Sequence, residues 1–171
     1  RQADGFTVML VGSTYGELNL RSFVDALRQW VQSLPVHQRA RVALCYAGSD
    51  AEQVRSAVTE LSSLIRVDVR SYVPTADLAD LCRAAAVNVY LWFPKTFHHK
   101  VIELLCCCRP IVSFPGERAE SLKLAHQVGG SLNVCGDWRR LHEVLSSIWD
   151  GGLAPTSEIA QMQPLTWAAQ A

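Results

Sequence analysis

The sequence alternates between short apolar runs and segments of helical periodicity, and this alternation limits the possible folds more than any other feature. The run TVMLVG at residues 7–12 ends in glycine, which is typical of a buried parallel strand. Between Leu20 and Leu34, apolar residues recur at spacings of three and four, so we expect an amphipathic helix that Pro35 ends. The same order of strand and helix continues for most of the chain.

Five further apolar runs are predicted to be strands: RVALCYAG (41–48), IRVDVRSYV (65–73), VNVYLWF (87–93), PIVSF (110–114) and SLNV (131–134). Helices are predicted at residues 49–61, 76–85, 97–107, 118–128 and 138–149, with Ser49 or Asp50 as the N-cap of the first. Six strands that alternate with six helices predict an α/β fold, namely a Rossmann-like, doubly wound parallel sheet of about six strands with helices on both faces. This domain covers residues 1–150, and residues 151–171 are expected to be a linker and the start of a truncated C-terminal helix.

Composition and charge exclude several classes of protein. Sixteen basic and sixteen acidic residues give no net charge, so we expect no polyanion-binding surface and no nucleic-acid partner. The sequence has no apolar run near the roughly 20 residues that span a bilayer, and no apolar signal segment at its start. Six cysteines without a C-x-x-C spacing, three of them contiguous, indicate reduced thiols and a cytoplasmic protein.

The loops that follow the predicted strands are the candidate binding region, because ligands of open parallel sheets bind beyond the carboxyl ends of the strands. These loops contain GSTYGELN, YVPT and FPKTFHHK, after the first, third and fourth strands. GSTYGELN does not match G-x-G-x-x-G, and no acidic residue ends the second strand. The chain also lacks G-x-x-x-x-G-K-[ST], so the sequence predicts neither a dinucleotide fingerprint nor a P-loop.

Glu103 lies inside the apolar run KVIELL, near the middle of the predicted fourth helix. Such a carboxylate is ordinarily a solvent-facing residue, but on a helix that its neighbours cover an unpaired charge is costly, and ligand hydroxyls could satisfy it. His99, Glu103 and Cys106 or Cys107 share roughly one helical face, yet a structural zinc site needs four ligands, so we predict no metal. The three contiguous cysteines, Cys106 to Cys108, lie late in this helix and are expected to be packing residues.

These segments resemble the C-terminal, donor-binding half of GT-B glycosyltransferases, particularly glycosyltransferase family four. That family carries E-x-F-G-x-x-x-x-E in the helix after the fourth strand, and Lys95 to Glu103 fall on this frame. Lys100 to Glu103 also fit the K-x-x-E version of some bacterial relatives. LLCCCRPIVSF, SYVPTADLADLCRAAAVNVYLW and GERAESLKLAHQVGGSLNV are similar to the family's surrounding segments, so the likeness covers about residues 6–150.

The resemblance implies the donor-binding domain of a hexosyltransferase of the retaining type. Such an enzyme transfers a sugar from a nucleoside diphosphate sugar to a glycan or a lipid-linked acceptor, and it uses no metal or other cofactor. The implied site residues are Glu103 for the donor ribose; Gly12, Ser13, Thr14 and Lys100 for the diphosphate; Tyr72, Val73 and Pro74 for the base; and Lys95, Thr96, Phe97, His98 and His99 for the donor sugar. No residue is assigned as a general base.

The expected partners are the nucleotide-sugar donor and an N-terminal acceptor-binding domain that this chain lacks, without which the fragment is expected to be inactive. Peripheral association of the full-length enzyme with the inner face of the membrane is a further expectation. Two alternatives remain open. One is a sugar-nucleotide epimerase or dehydrogenase, although the chain has no Tyr-x-x-x-Lys pair. The other is a non-catalytic α/β binding module, which Lys95 in place of the family's first glutamate supports.

Overall fold

The computed structural model describes residues 5–94 and 99–153, which form one six-stranded sheet with helices on both faces. The strands are β1 (Phe6–Val11), β2 (Val42–Ala47), β3 (Arg66–Arg70), β4 (Val87–Leu91), β5 (Ile111–Phe114) and β6 (Leu132–Val134). All five neighbouring pairs are parallel, and the strand order is β3-β2-β1-β4-β5-β6. The predicted doubly wound parallel sheet is therefore confirmed.

Seven α-helices lie in the described part of the chain. They are α1 (Glu17–Ser33), α2 (Val36–Arg39), α3 (Ala51–Ala57), α4 (Thr75–Ala84), α5 (Lys100–Leu105), α6 (Ala119–Gln127) and α7 (Trp138–Trp149), with a 3₁₀ turn at Leu61–Ser63. Six of them correspond to predicted helices. The seventh, α2, is a single turn that the sequence prediction did not include. Pro35 ends α1 as predicted, and it then stands at the N-cap position of α2.

Two hydrophobic layers cover the two faces of the sheet. Buried residues of α1, α3 and α7 pack on one face, where Trp30 is fully buried among Phe6 and Trp149. Buried residues of α4, α5 and α6 pack on the other face. Because each strand of the centre is buried on both sides, β2 and β4 are apolar along almost their whole length.

The strand order reverses between β1 and β4, because the chain builds outward from β1 to β3 and then returns to the other side of β1. The helices that follow β1 and β4 pack on opposite faces of the sheet, and ligands of open parallel sheets bind at such a reversal, beyond the carboxyl ends of the strands. The loops that the sequence singled out lie at this edge. They follow β1, β3 and β4.

The cysteines are all free thiols, as predicted. Cys45, Cys82, Cys107 and Cys135 are buried, whereas Cys106 and Cys108 are half-buried, so the packing prediction holds fully for only one of the three contiguous cysteines. Within the described residues, no helix is both long and apolar enough to cross a lipid bilayer.

Candidate functional site at the carboxyl edge of the sheet

The loop between β1 and α1 is tied to the loop between β2 and α3 by a single carboxylate. Thr14 is 1% exposed, and its backbone N–H donates to Asp50 Oδ2 over 2.7 Å. The Thr14 hydroxyl lies 3.0 Å from Asp50 Oδ2 and 3.0 Å from Gln53 Oε1. The hydrogen bond from the Thr14 N–H is the largest of several contacts that lower the pKa of Asp50.

Tyr46 extends this connection to the end of β1. Its hydroxyl donates to the Gly12 carbonyl over 2.8 Å and accepts from the Asp50 N–H over 3.0 Å. Burial of the ring raises the pKa of the Tyr46 hydroxyl, so it stays protonated as a donor. We call Asp50, Thr14, Tyr46 and Gln53 the Asp50 cluster.

The prediction that Ser49 or Asp50 is the N-cap of α3 is confirmed for the position of Asp50, although no side-chain capping hydrogen bond forms. The Asp50 carboxylate accepts from Thr14 instead, and the Ser49 hydroxyl donates to Asp50 Oδ1 over 3.0 Å. The residue that the sequence marked as a local helix signal therefore makes its main contacts across 36 positions of the chain.

Lys100 reaches from α5 to the glycine that follows β1. A Cβ built on Gly12 would lie 1.2 Å from Lys100 Nζ, so the amine occupies the space above this glycine. Gly12 has φ of 87°, a conformation that favours glycine as well. The structure thus brings together two of the four residues predicted to contact a diphosphate, although they lie far apart in the sequence.

The Lys100 amine is a partly buried cation. Burial lowers its pKa, while the nearby negative charges of Glu103 and Asp50 act in the opposite direction. None of the ion pairs within 4.0 Å among the described residues includes Lys100. A desolvated ammonium group without a bonded carboxylate is costly for the fold, so this position is well suited to an anionic ligand.

Glu103 is exposed, which corrects the expectation of a carboxylate on a covered helix. The described part of α5 begins at Lys100 and has six residues, so Glu103 lies in its first turn and also near its middle, as predicted. Val101, Leu104 and Leu105 form the buried side of the helix. Glu103 stands three residues after Lys100, and its negative charge acts to raise the pKa of the Lys100 amine. The two side chains therefore lie close together on the helix surface.

The other predicted site residues belong to the segments that follow β1, β3 and β4. Ser13 lies between Gly12 and Thr14, which are hydrogen-bonded to Tyr46 and Asp50, and its hydroxyl is 3.4 Å from that of Ser49. Tyr72 is 83% exposed and Val73 is half-buried, in the loop that leads to α4, whose N-cap position is Pro74. His99 is exposed and precedes Lys100. The predicted donor-sugar residues Lys95, Thr96, Phe97 and His98 lie outside the described residues.

Two of the loop's backbone amides are already used inside the protein. The Gly12 N–H donates to the Ala47 carbonyl over 2.8 Å, and the Thr14 N–H donates to Asp50. Among the described residues, no acceptor lies within hydrogen-bond distance of the Ser13 N–H. Of the three amides at positions 12 to 14, Ser13 is therefore the one that can donate to a ligand.

The loop after β4 is held against the loop after β1. The rings of Tyr15 and Phe93 stack with centroids 5.6 Å apart and an interplanar angle of 14°. Asn19 of α1 also donates to the Trp92 carbonyl over 3.4 Å. These contacts hold Trp92 and Phe93, which follow β4, next to the loop after β1.

A second carboxylate organises the other end of the same edge, and sequence reasoning missed it. Glu117, after β5, accepts from the Tyr90 hydroxyl, from the Ser121 hydroxyl over 3.1 Å and from the Arg118 N–H over 2.7 Å. The Ser113 hydroxyl lies 3.4 Å away. We call these five residues the Glu117 cluster. The signal available in the sequence was a carboxylate three residues after a buried strand.

The described residues contain other concavities but no metal cluster. One groove of about 630 Å³ lies between α1 and α3, and it is lined by neutral residues together with Arg21, Arg28, Glu17, Asp25 and Glu60. Its charges are largely paired with one another. Within residues 5–94 and 99–153, no group of three or more His, Cys, Asp or Glu side chains could hold a metal ion.

No protein-family model matches the sequence, and no curated protein matches it either. Similarity is found among solved structures. The chain is similar to HepE of Anabaena, solved in complex with UDP-glucose, with a TM-score of 0.63, 17% identity, and coverage of 95% of this chain and 44% of that one. This chain has the fold of one half of a GT-B enzyme.

Two further structures share this half. An α,α-trehalose-phosphate synthase (UDP-forming) of Burkholderia xenovorans gives a TM-score of 0.66 at 15% identity, covering 95% of this chain and 39% of that one. A Listeria monocytogenes protein assigned as a UDP-N-acetylglucosamine 2-epimerase gives 0.65 at 12% identity, covering 96% and 44%. The chain thus spans about two fifths of the length of these proteins. At such identities the likeness shows the fold alone.

Proposed function

We propose that this chain is the nucleotide-sugar-binding domain of a GT-B glycosyltransferase, and that it holds the donor beyond the carboxyl ends of β1 and β4. The parent enzyme transfers a hexose-like sugar from a nucleoside diphosphate to a glycan or a lipid-linked acceptor. The neighbours with this fold include a protein solved with UDP-glucose and a UDP-forming synthase, which supports a donor of this chemical class.

The observation that carries the proposal is the position of Lys100. Its amine lies over Gly12 at the carboxyl end of β1, partly buried and without an ion-pair partner among the described residues. A diphosphate bound there gains a charge-assisted hydrogen bond from the amine, and the Ser13 N–H donates a second bond from the loop. In the transfer reaction the same cation stabilises the charge that builds up on the departing nucleoside diphosphate.

The remaining roles follow from positions around this cation. Glu103, exposed in the first turn of α5, accepts hydrogen bonds from the two ribose hydroxyls. Tyr72, Val73 and Pro74 border the base, and the exposed ring of Tyr72 offers a surface for stacking. His99 is assigned to the donor sugar, together with Lys95, Thr96, Phe97 and His98, whose assignment rests on the sequence alone. Acceptor binding and the rest of the catalytic machinery belong to the other half of the enzyme.

Isothermal titration calorimetry of the chain against UDP, GDP, TDP and NAD tests this proposal. We expect one of the nucleoside diphosphates to bind, and Glu103→Ala to weaken that binding at least about tenfold, since a carboxylate that accepts two hydroxyls contributes about 1.5–3 kcal/mol. Glu120→Ala, at an exposed position of α6, is the matched control and leaves the affinity unchanged.

The outcomes separate the candidate functions. Binding of a nucleoside diphosphate that depends on both Lys100 and Glu103 supports the donor domain. Binding of NAD in preference to all diphosphates would support a dehydrogenase, and no binding of any nucleotide would support a non-catalytic module. Either of these results overturns the proposal.

A second candidate function is a sugar-nucleotide epimerase, which the likeness to the Listeria monocytogenes protein favours. This activity shares the donor but needs no acceptor sugar. Incubation of the full-length enzyme with UDP-N-acetylglucosamine alone, followed by NMR of the sugar, distinguishes the two. A change of configuration at a ring carbon other than the anomeric carbon supports the epimerase.

A further inference from the structure

We propose that Asp50 is the positioning residue of the anion site: it holds the β1–α1 loop in place below the Lys100 amine and supplies that amine with a carboxylate counter-charge. The inference rests on the proposed function and names how the site is shaped and which carboxylate balances its cation. Asp50 has no place among the donor-contacting residues predicted from the sequence.

The first part of the argument is the geometry of the loop. Asp50 accepts from the N–H and the hydroxyl of Thr14, and its own N–H donates to Tyr46, which in turn holds the Gly12 carbonyl. One residue therefore fixes both sides of Ser13. Tyr15, directly after Thr14, has φ of 52°, a conformation that surrounding contacts must maintain in a residue other than glycine. Without Asp50, the Ser13 N–H has no fixed direction.

The second part is charge. Burial favours the neutral form of Lys100, and two described carboxylates oppose it, Asp50 from the loop after β2 and Glu103 on α5 itself. The exposed imidazole of His99 is next to Lys100 in the chain. Glu103 is exposed and is proposed to bind ribose, whereas the Asp50 carboxylate is already bonded to Thr14 and Ser49. Asp50 is therefore the counter-charge that stays within the protein while a ligand binds and leaves.

The titration of the Lys100 amine tests the charge directly and needs no nucleotide. The chain has three lysines, Lys95, Lys100 and Lys123, so Cε resonances observed by NMR can be assigned with one substitution each. In Asp50→Asn we expect the Lys100 midpoint to fall by about 0.5–1 pH unit, because a nearby opposite charge is lost while one acceptor oxygen remains. Asp50→Ser, which keeps a short acceptor for Thr14, is the second variant if the first does not fold.

Two controls separate charge from packing. Gln53→Ala removes an acceptor of the Thr14 hydroxyl without removing charge, and Asp80→Asn removes an exposed charge of α4. Neither is expected to move the Lys100 midpoint. The proposal is overturned if the midpoint in Asp50→Asn equals that of the wild type, or if Gln53→Ala moves it equally.

Binding of UDP and of inorganic pyrophosphate as a function of pH gives the second readout. In Asp50→Asn we expect weaker binding of both probes, with the loss of affinity at alkaline pH beginning at a lower pH than in the wild type. If the wild type binds neither probe, the proposed function fails, while the titration still decides whether Asp50 is the counter-charge of Lys100. If the wild type binds both and Asp50→Asn has the same pH profile, the role of Asp50 alone is refuted.

Discussion

The Asp50 cluster and the Glu117 cluster lie at the same edge of the sheet, and each is centred on one carboxylate. They differ in whether the cation beside the carboxylate has a hydrogen-bond acceptor. In each cluster one carboxylate accepts several hydrogen bonds: Asp50 accepts them from the loop after β1, and Glu117 accepts them from β4, from α6 and from the next residue in the chain. Beside Glu117, the Arg118 guanidinium donates to the Pro94 carbonyl over 2.8 Å. Beside Asp50, the Lys100 amine has no acceptor among the described residues.

This difference separates a carboxylate that only stabilises the fold from one that also shapes a binding site. Both clusters fix loops, but only one of them fixes a loop below a partly desolvated cation. Proteins keep such unfavourable groups where a ligand later satisfies them. We therefore place the anion site at the Asp50 cluster and expect the Glu117 cluster to contribute mainly to stability.

The largest expected effect is on binding, and it comes from Lys100→Met. Loss of a charge-assisted contact to phosphate weakens UDP binding by at least about 30-fold, roughly 2 kcal/mol. The same variant is expected to raise the thermal midpoint, because a buried ammonium is replaced by an apolar chain of similar length. Calorimetric titration and thermal unfolding measure the two effects.

Lys123→Met, at an exposed position of α6, is the matched control for this prediction. It should change neither quantity. A Lys100→Met variant that is less stable than the wild type and still binds UDP would reverse the comparison between the clusters.

The second prediction concerns the Glu117 cluster. Glu117→Ala removes the acceptor of several hydrogen bonds, so we expect the free energy of unfolding to fall by about 2 kcal/mol. In the folded fraction, the affinity for UDP should change less than about threefold. Urea unfolding and calorimetry check this, and a collapse of affinity at unchanged stability would move the anion site toward β5.

The third prediction concerns Gly12→Ala. The added Cβ meets the Lys100 amine, and the residue must also keep a positive φ, so we expect a loss of about 1–2 kcal/mol in stability together with weaker UDP binding. Gly151→Ala is the control, because Gly151 has φ of 79° but open space around its Cβ position. If both variants behave alike, the backbone conformation explains the whole effect and the Lys100 contact does not.

The smallest expected effect is on the pH dependence of stability. Burial lowers the pKa of Lys100 in the folded state below its ordinary value of 10.5, so the unfolded chain binds the proton more tightly. The resulting cost is complete below the folded pKa and disappears as the pH rises toward 10.5. The stability advantage of Lys100→Met over the wild type should therefore shrink between neutral and alkaline pH, as urea unfolding at several pH values can show.

Much of the fold was predictable because apolar residues recur along the sequence at the regular spacings of strands and helices. Buried parallel strands such as β4 are apolar throughout, and the stripe of α1 from Leu20 to Val31 is regular. Helix α2 was not predicted, because a single turn carries no period. The order of the strands also was not predicted, since it depends on which apolar edges meet in space.

Site residues could be predicted only where a local sequence motif or the family resemblance pointed to them. Gly12 and Lys100 were both named for a diphosphate, and the structure brings them together, although their role remains a prediction. Asp50 was assigned to its own helix, because its contacts with Thr14 and Tyr46 depend on how two strands align. The exposure of Glu103 was misjudged because the covered side of a short helix cannot be read from its apolar neighbours alone.

A crystal structure of this chain with UDP tests the central claim most directly. We predict that oxygen atoms of the diphosphate lie within hydrogen-bond distance of Lys100 Nζ and of the Ser13 N–H, above Gly12, with the ribose hydroxyls against Glu103. Nucleotide bound instead in the groove between α1 and α3, or bound with Lys100 turned away from the phosphates, would contradict the account.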